Sequence, residues 1–186
     1  MKKAIRIILV LSVVGLISGA SLVFVYKYAA PLIAENQKEE TKKAIFNVLP
    51  GAASYEEVKK KGVDVYLVKD KDGKELGYAF EAEGNGYQGK IKLMVGIQSD
   101  LTTLTGIEVL ESQETPGLGQ EIDSGNFKKQ FEGLKASPGI EYVKGKKPDK
   151  PNQIEAITGA TISSKAVVNI ISKEIEDIRE ALKKGK

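Results

Sequence analysis

The 186-residue chain contains no cysteine, no histidine and no tryptophan. Without cysteine it has no thiolate-bound iron–sulfur cluster, no disulfide framework, no CxxCH haem attachment and no lipid-bearing cysteine. Without histidine it has no imidazole-ligated zinc and no nucleophile activated by an imidazole base. No direct metal site is expected. The rest of the composition is that of a folded protein, 41% hydrophobic and 28% charged, with 19 glycines. The length suits one domain with an appendage.

The formal charge is +3, and its distribution decides how to read it. The first acidic residue is Glu35, and Lys2, Lys3, Arg6 and Lys27 precede it. Removing those four from the 28 Lys and Arg leaves 24 against 25 Asp and Glu, a net −1 for residues 35–186. The basic character therefore belongs to the first 34 residues, and no nucleic-acid partner is expected. The pairs and runs at Lys42-Lys43, Lys59-Lys60-Lys61 and Lys146-Lys147 read as solvated faces and turns.

Ile7 to Tyr26 carries no charge. Twenty helical residues span roughly 30 Å, the thickness of a bilayer's hydrocarbon core. Phe24, Tyr26 and Tyr28 suit the membrane–water interface, and Gly15, Ser18 and Gly19 leave room for a neighbouring helix. The alternative is a cleaved signal peptide, with Ser18-Gly19-Ala20 a loose match to a cleavage site. The apolar run continues through Leu22-Val23-Phe24-Val25, longer than a simple signal core, which favours a retained anchor. Cations before the span place the N-terminus in the cytoplasm and the remainder outside. The expected division is a cytoplasmic tip and transmembrane anchor over 1–28, a stalk helix over 29–50 and a folded domain over 51–186.

Within the domain, strand-like runs at Val63–Val68 and Leu76–Ala82 flank an Asp-Gly hairpin turn. Lys90–Ile97 and Leu104–Leu110 form a second pair. An irregular stretch from Glu111 to Gly125 follows, then a short helix at Asn126–Phe131 and a strand at Ile140–Val143. Ser163–Lys184 closes the chain as an amphipathic helix, with Val167, Ile170, Ile171, Ile175, Ile178 and Leu182 on one face. The fold class is α+β, a mostly antiparallel sheet flanked by helices behind a single N-terminal transmembrane helix.

Gly84-Asn85-Gly86-Tyr87-Gln88-Gly89-Lys90 matches GxGxxG and most of a Walker loop, but a strand rather than a helix follows. Ile91 also stands where magnesium needs a hydroxyl. It reads as a glycine-rich strand connection. Asp70-x-Asp72-Gly73 is too short for a calcium loop. Thr158-Gly159-Ala160-Thr161-Ile162-Ser163-Ser164-Lys165 is different, because it opens the last helix. Free amides and the helix dipole favour a phosphate there, with four hydroxyls and a cation crowded into one turn. A well-capped helix start explains the same residues equally well.

Thr158-Gly159-Ala160-Thr161-Ile162-Ser163 resembles the (S/T)GAT-x-(S/T) flavinylation motif of FMN-binding domains. Glu114-Thr115-Pro116-Gly117-Leu118-Gly119 resembles the ETPGLG loop of the same family, and Gly86–Ile91 gives a third, weaker match. Order, spacing and anchor are similar to the G subunit of the Rnf electron transport complex, an ion-translocating ferredoxin:NAD oxidoreductase. That family is related to the C subunit of the sodium-pumping NADH:quinone oxidoreductase. The resemblance implies FMN bound covalently by a phosphoester to Thr161. Gly159 and Ala160 would leave room for the phosphate and ribityl chain, and Thr158, Ser163 and Lys165 would bond or balance the phosphate. Glu114, Thr115, Gly117 and Leu118 would line the flavin ring, with Tyr87 also at the cofactor. It implies an electron-transfer protein without stand-alone turnover, passing electrons between ferredoxin and NAD during ion translocation. Other Rnf subunits would be its partners, and a flavin transferase using FAD would mature it. Its domain would lie on the outer face of the bacterial inner membrane. Ser112 stands where that family often has histidine. A stand-alone anchored flavin reductase and a non-redox envelope binding module remain the alternatives.

Overall fold

The computed structural model describes residues 2–60 and 63–183. Lys61 of the basic run, and Lys184 at the end of the expected last helix, lie outside the described residues. Helix α1 spans Lys2–Val48. The chain through Glu40 forms one unit, and the chain from Thr41 forms a second. In the first unit, the apolar part of α1 is long enough to cross a membrane and none of it is buried.

The second unit is built on a five-stranded sheet in the order β1-β2-β3-β4-β5. Its strands are β1 (Ser54–Lys60), β2 (Val63–Lys69), β3 (Glu75–Asn85), β4 (Lys90–Gln98) and β5 (Leu104–Ser112). Every neighbouring pair is antiparallel, as expected for chain-adjacent strands joined by short turns. The β2–β3 turn is closed by Asp70, whose Oδ1 accepts from the amides of Asp72 and Lys74, both at 2.9 Å. A short 3₁₀ turn (Gly119–Asp123) and helix α2 (Gly125–Lys129) follow the sheet. Then come β6 (Glu141–Lys144), β7 (Gln153–Ala156) and helix α3 (Thr161–Lys183).

Three features depart from the expected element map. β1 has no signal in the sequence pattern, because Tyr55-Glu56-Glu57-Val58 is highly charged for a strand; as an edge strand it needs only one paired side. The stretch expected to be irregular contains the 3₁₀ turn. β6 and β7 form a separate two-stranded parallel pair, with Lys144 opposite Ala156.

The sheet is buried on both faces near its centre. On one face Phe80, Ala82, Leu93, Val95, Ile97 and Leu104 pack against Val167, Ile171, Ile175 and Ile178 of α3 and against Ile122, Phe127 and Phe131. The alternation of β4 follows from the two-residue period of a strand. The far end of α3 is tied down by Arg179, whose guanidinium donates to the Leu101 carbonyl at 2.7 and 2.9 Å and to that of Ala136 at 3.3 Å.

On the other face Ala44, Ile45, Val48 and Leu49 pack on Val68, Ala79 and Met94. Here Gly96 of β4 pairs with Gly106 of β5. The Val48 carbonyl oxygen lies only 2.5 Å from where a Gly96 side chain would begin. A bulge follows in the ladder, and the Thr105 hydroxyl donates to that same carbonyl at 2.5 Å. The helix end thus gains a partner for one of its orphan carbonyls. Substituting Gly96→Val is expected to lower stability by about 1–3 kcal/mol through overpacking, read as a drop in the urea midpoint of the full chain in detergent. An unchanged midpoint would show that the helix end is not seated there.

Candidate functional site

Three segments converge at the start of α3: the β3–β4 loop, the segment after β5, and the turn from β7 into the helix. Four hydroxyls compete for roles in this turn, and their surroundings separate them. Ser164 is buried; its Oγ accepts from the Ile157 amide at 3.0 Å and donates to the Ala160 carbonyl at 3.0 Å. Ser163 is buried and donates to Glu114 Oε2 at 2.6 Å. Thr158 is exposed and does not line the adjoining cavity. Thr161 is half-buried, lines the cavity, and its hydroxyl makes no hydrogen bond among the described residues.

Helical geometry explains the split between Thr161 and Ser163. Residues two apart lie roughly 200° apart around a helix. With Ser163 turned to Glu114, it is Ser163 and not Thr161 that is tied up by that carboxylate. Thr161 is also the first residue of α3, where backbone amides lack intrahelical acceptors and the dipole favours an anion.

Glu114 is only 5% exposed. Its Oε1 accepts from the Gln88 amide at 2.9 Å, and the Tyr87 and Gly89 amides also face it. Burial alone would push this carboxyl's pKa up. The Ser163 hydroxyl and the three amides outweigh that effect and hold it below the ordinary carboxylate range. The glycines around it are required by space, since a side chain on Gly86 or Gly119 would run into the carboxylate. The Gly86–Gly89 loop is therefore an anion nest, and its anion is a carboxylate of this chain. The loop itself is closed by the Gly86 amide on the Gly89 carbonyl at 2.7 Å, and the Thr115 hydroxyl donates to Gln88 Oε1. Ser112 accepts from the Glu114 amide at 3.3 Å.

The cavity has a volume of about 450 Å³ and is lined by Tyr87, Glu114, Thr115, Leu118, Lys144 and Thr161, among others. Of the residues expected at a cofactor, Gly159, Ala160 and Ser163 also line it. Lys165 and Gly117 are exposed and, like Thr158, stand outside the lining. Three lining residues are absent from the set expected on sequence: Gly119, Ile162 and Lys144. Gly119 closes the second motif and Ile162 lies inside the first, so both carry a local signal. Lys144 has none. The parallel pairing of β6 with β7 sets it opposite Ala156, and β7 runs directly into the Thr161 turn.

The lining suits FMN. Tyr87, Leu118 and Ile162 are 68%, 50% and 57% exposed and together form an apolar side to the cavity. It offers contacts for a flat aromatic ring. The helix start and Lys144 offer an anion site, and the volume falls in the range of small-molecule pockets.

The FMN-binding domain family model matches residues 86–176, which include all three segments. The G subunit of the ion-translocating oxidoreductase complex of Methanosarcina acetivorans is 33% identical, covering 94% of each chain. The G subunit of the Na(+)-translocating ferredoxin:NAD(+) oxidoreductase complex of Acetobacterium woodii is 32% identical, over 94% of this chain and 91% of that one. Among solved structures, the C subunit of the Na(+)-translocating NADH-quinone reductase of Parabacteroides distasonis shares the fold. Its TM-score is 0.64 at 22% identity, covering 80% of this chain and 94% of that one. An FMN-binding domain behind an apolar N-terminal helix, alike along nearly its whole length to these G subunits, makes the chain a member of the Rnf G-subunit family of electron-transfer flavoproteins.

Proposed function

We propose that the chain holds FMN covalently, as a phosphoester on Thr161, and relays electrons as an anchored component of an Rnf-type complex coupling ferredoxin:NAD oxidoreduction to ion translocation. One observation carries the site. Of the four hydroxyls at the start of α3, only that of Thr161 both lines the cavity and is left uncommitted by its neighbours. Attachment would proceed by attack of the Thr161 oxygen on the FMN-side phosphorus of FAD. The threonine proton is lost and AMP leaves, with a separate flavin transferase as catalyst.

The bound group supplies one- and two-electron chemistry that no side chain of this composition can. The protein's part is to bind and orient. The first turn of α3 gives amides to the phosphate, and Lys144 stands at the cavity wall to balance its charge. Tyr87, Leu118 and Ile162 flank the ring. Their exposure leaves the redox group near the surface, where partner subunits can reach it. Cations ahead of the apolar stretch of α1 support an N-terminus in the cytoplasm and a flavin domain on the outer face. A covalent tether keeps the cofactor from being lost there.

Co-produced with a flavin transferase, the protein is expected to yield an FMN-phosphoryl adduct on the peptide containing Thr161, seen by mass spectrometry. Thr161→Ala abolishes the adduct and in-gel flavin fluorescence, whereas Thr158→Ala retains both. An adduct persisting in Thr161→Ala would overturn the assignment. Lys144→Gln is expected to slow attachment about two- to fivefold, the scale of one exposed charge contact, measured as the initial rate of fluorescence gain. Loading at the wild-type rate would remove Lys144 from the anion site.

A further inference from the structure

The chemistry of attachment and binding leaves one buried charge unused. Glu114 forms no salt bridge among the described residues; its charge is held by the Ser163 hydroxyl and the amides of the Gly86–Gly89 loop. Burying an unpaired carboxylate is costly unless hydrogen bonds replace its water. Here the replacement is complete enough that the group stays ionised more readily than in water. A protein that needed only a structural tie at this point could join the same segments with a neutral amide. The retained charge lies in the wall of the cavity, in surroundings that screen it poorly.

From this geometry we propose that Glu114 is a potential-setting residue. Its fixed negative charge beside the cavity opposes electron uptake by the flavin held at Thr161 and lowers that flavin's reduction potential. The inference rests on the FMN reading under Proposed function. The Gly86–Gly89 loop then has a function that its phosphate-loop resemblance concealed. It is a cradle that keeps a carboxylate charged and still. Ser163 completes the cradle from the helix, so the charge is fixed relative to the same turn that bears Thr161. Lys144, on the other strand pair, is exposed and solvated, and its opposing field is accordingly weaker.

The test is a spectroelectrochemical titration of the flavinylated full-length protein in detergent, after mass spectrometry has confirmed the adduct on the Thr161 peptide. Glu114→Gln keeps the shape and an acceptor for the Gln88 amide but removes the charge. It is expected to favour the reduced flavin about tenfold, a midpoint about 30 mV more positive for a two-electron couple. Glu114→Asp retains the charge and should stay close to wild type. Ser163→Ala removes one tie but leaves the charge, and should also stay close. A Glu114→Gln protein with the wild-type midpoint would overturn the proposal in favour of a purely structural clamp. So would a Ser163→Ala protein shifted as far as Glu114→Gln.

Should Glu114→Gln take up no flavin, Glu114→Ser removes the same charge with a smaller side chain and is expected to move the midpoint in the same positive direction. A Glu114→Ser midpoint at the wild-type value would count against the proposal. Absence of the adduct in wild type is a different failure, one that removes the FMN reading itself.

Discussion

The carboxylate of Glu114 is the constraint on which the site depends. Three segments far apart in the chain meet on it: the loop between β3 and β4, the segment after β5 and the first turn of α3. Each contributes groups that suit an anion, namely loop amides, a hydroxyl, and glycines with no side chain to obstruct it. Because hydrogen bonds to a charged acceptor are stronger than neutral ones, a single ionised group can hold three backbones in register. Without it, the Gln88 amide and the Ser163 hydroxyl would lose their shared acceptor, and the start of α3 would lose its tie to the Gly86–Gly89 loop.

The sheet provides the platform for this clamp. β4 is covered on both faces, by α3 and its neighbours on one and by residues 44–49 on the other. A strand buried twice has little freedom to shift. The loop that precedes β4 and the segment that follows its partner β5 are consequently delivered to the same place. α3 spans this platform with Thr161 at one end and the Arg179 tie near the other. The position of the helix start is thus set by packing along its length as well as by Glu114.

Sequence patterns reveal the parts of this design that are local. The apolar face of α3, the hairpin turn at Asp70 and the alternation of β4 are all periodic or depend on adjacent residues. The two glycine-rich motifs can be placed at the site because their order and spacing are contiguous signals. What stays hidden is set by distant pairing. Lys144 reaches the cavity only because β6 lies parallel to β7, and parallel neighbours are separated by a connection that leaves no local trace. β1 is hidden because its edge position tolerates charges that a central strand would not. The resemblance of its motif implies a place for Glu114 beside the flavin ring; its environment in the fold depends on a loop 26 residues earlier and a helix 49 residues later. The strand after the Gly86–Gly89 loop is enough to separate that loop from nucleotide loops. That it receives an anion nonetheless is visible only in three dimensions.

The glycine pair at Gly96 and Gly106 has a consequence for assembly. The two residues oppose one another only when β4 and β5 pair in the native register. A slip by one residue would turn every side chain of the strand to the opposite face. It would bring Val95 or Ile97 under the end of α1 and fill the notch that receives the Val48 carbonyl. The seat for the Val48 carbonyl therefore exists only in the native register, and the docking of residues 44–49 and the pairing of β4 with β5 support one another.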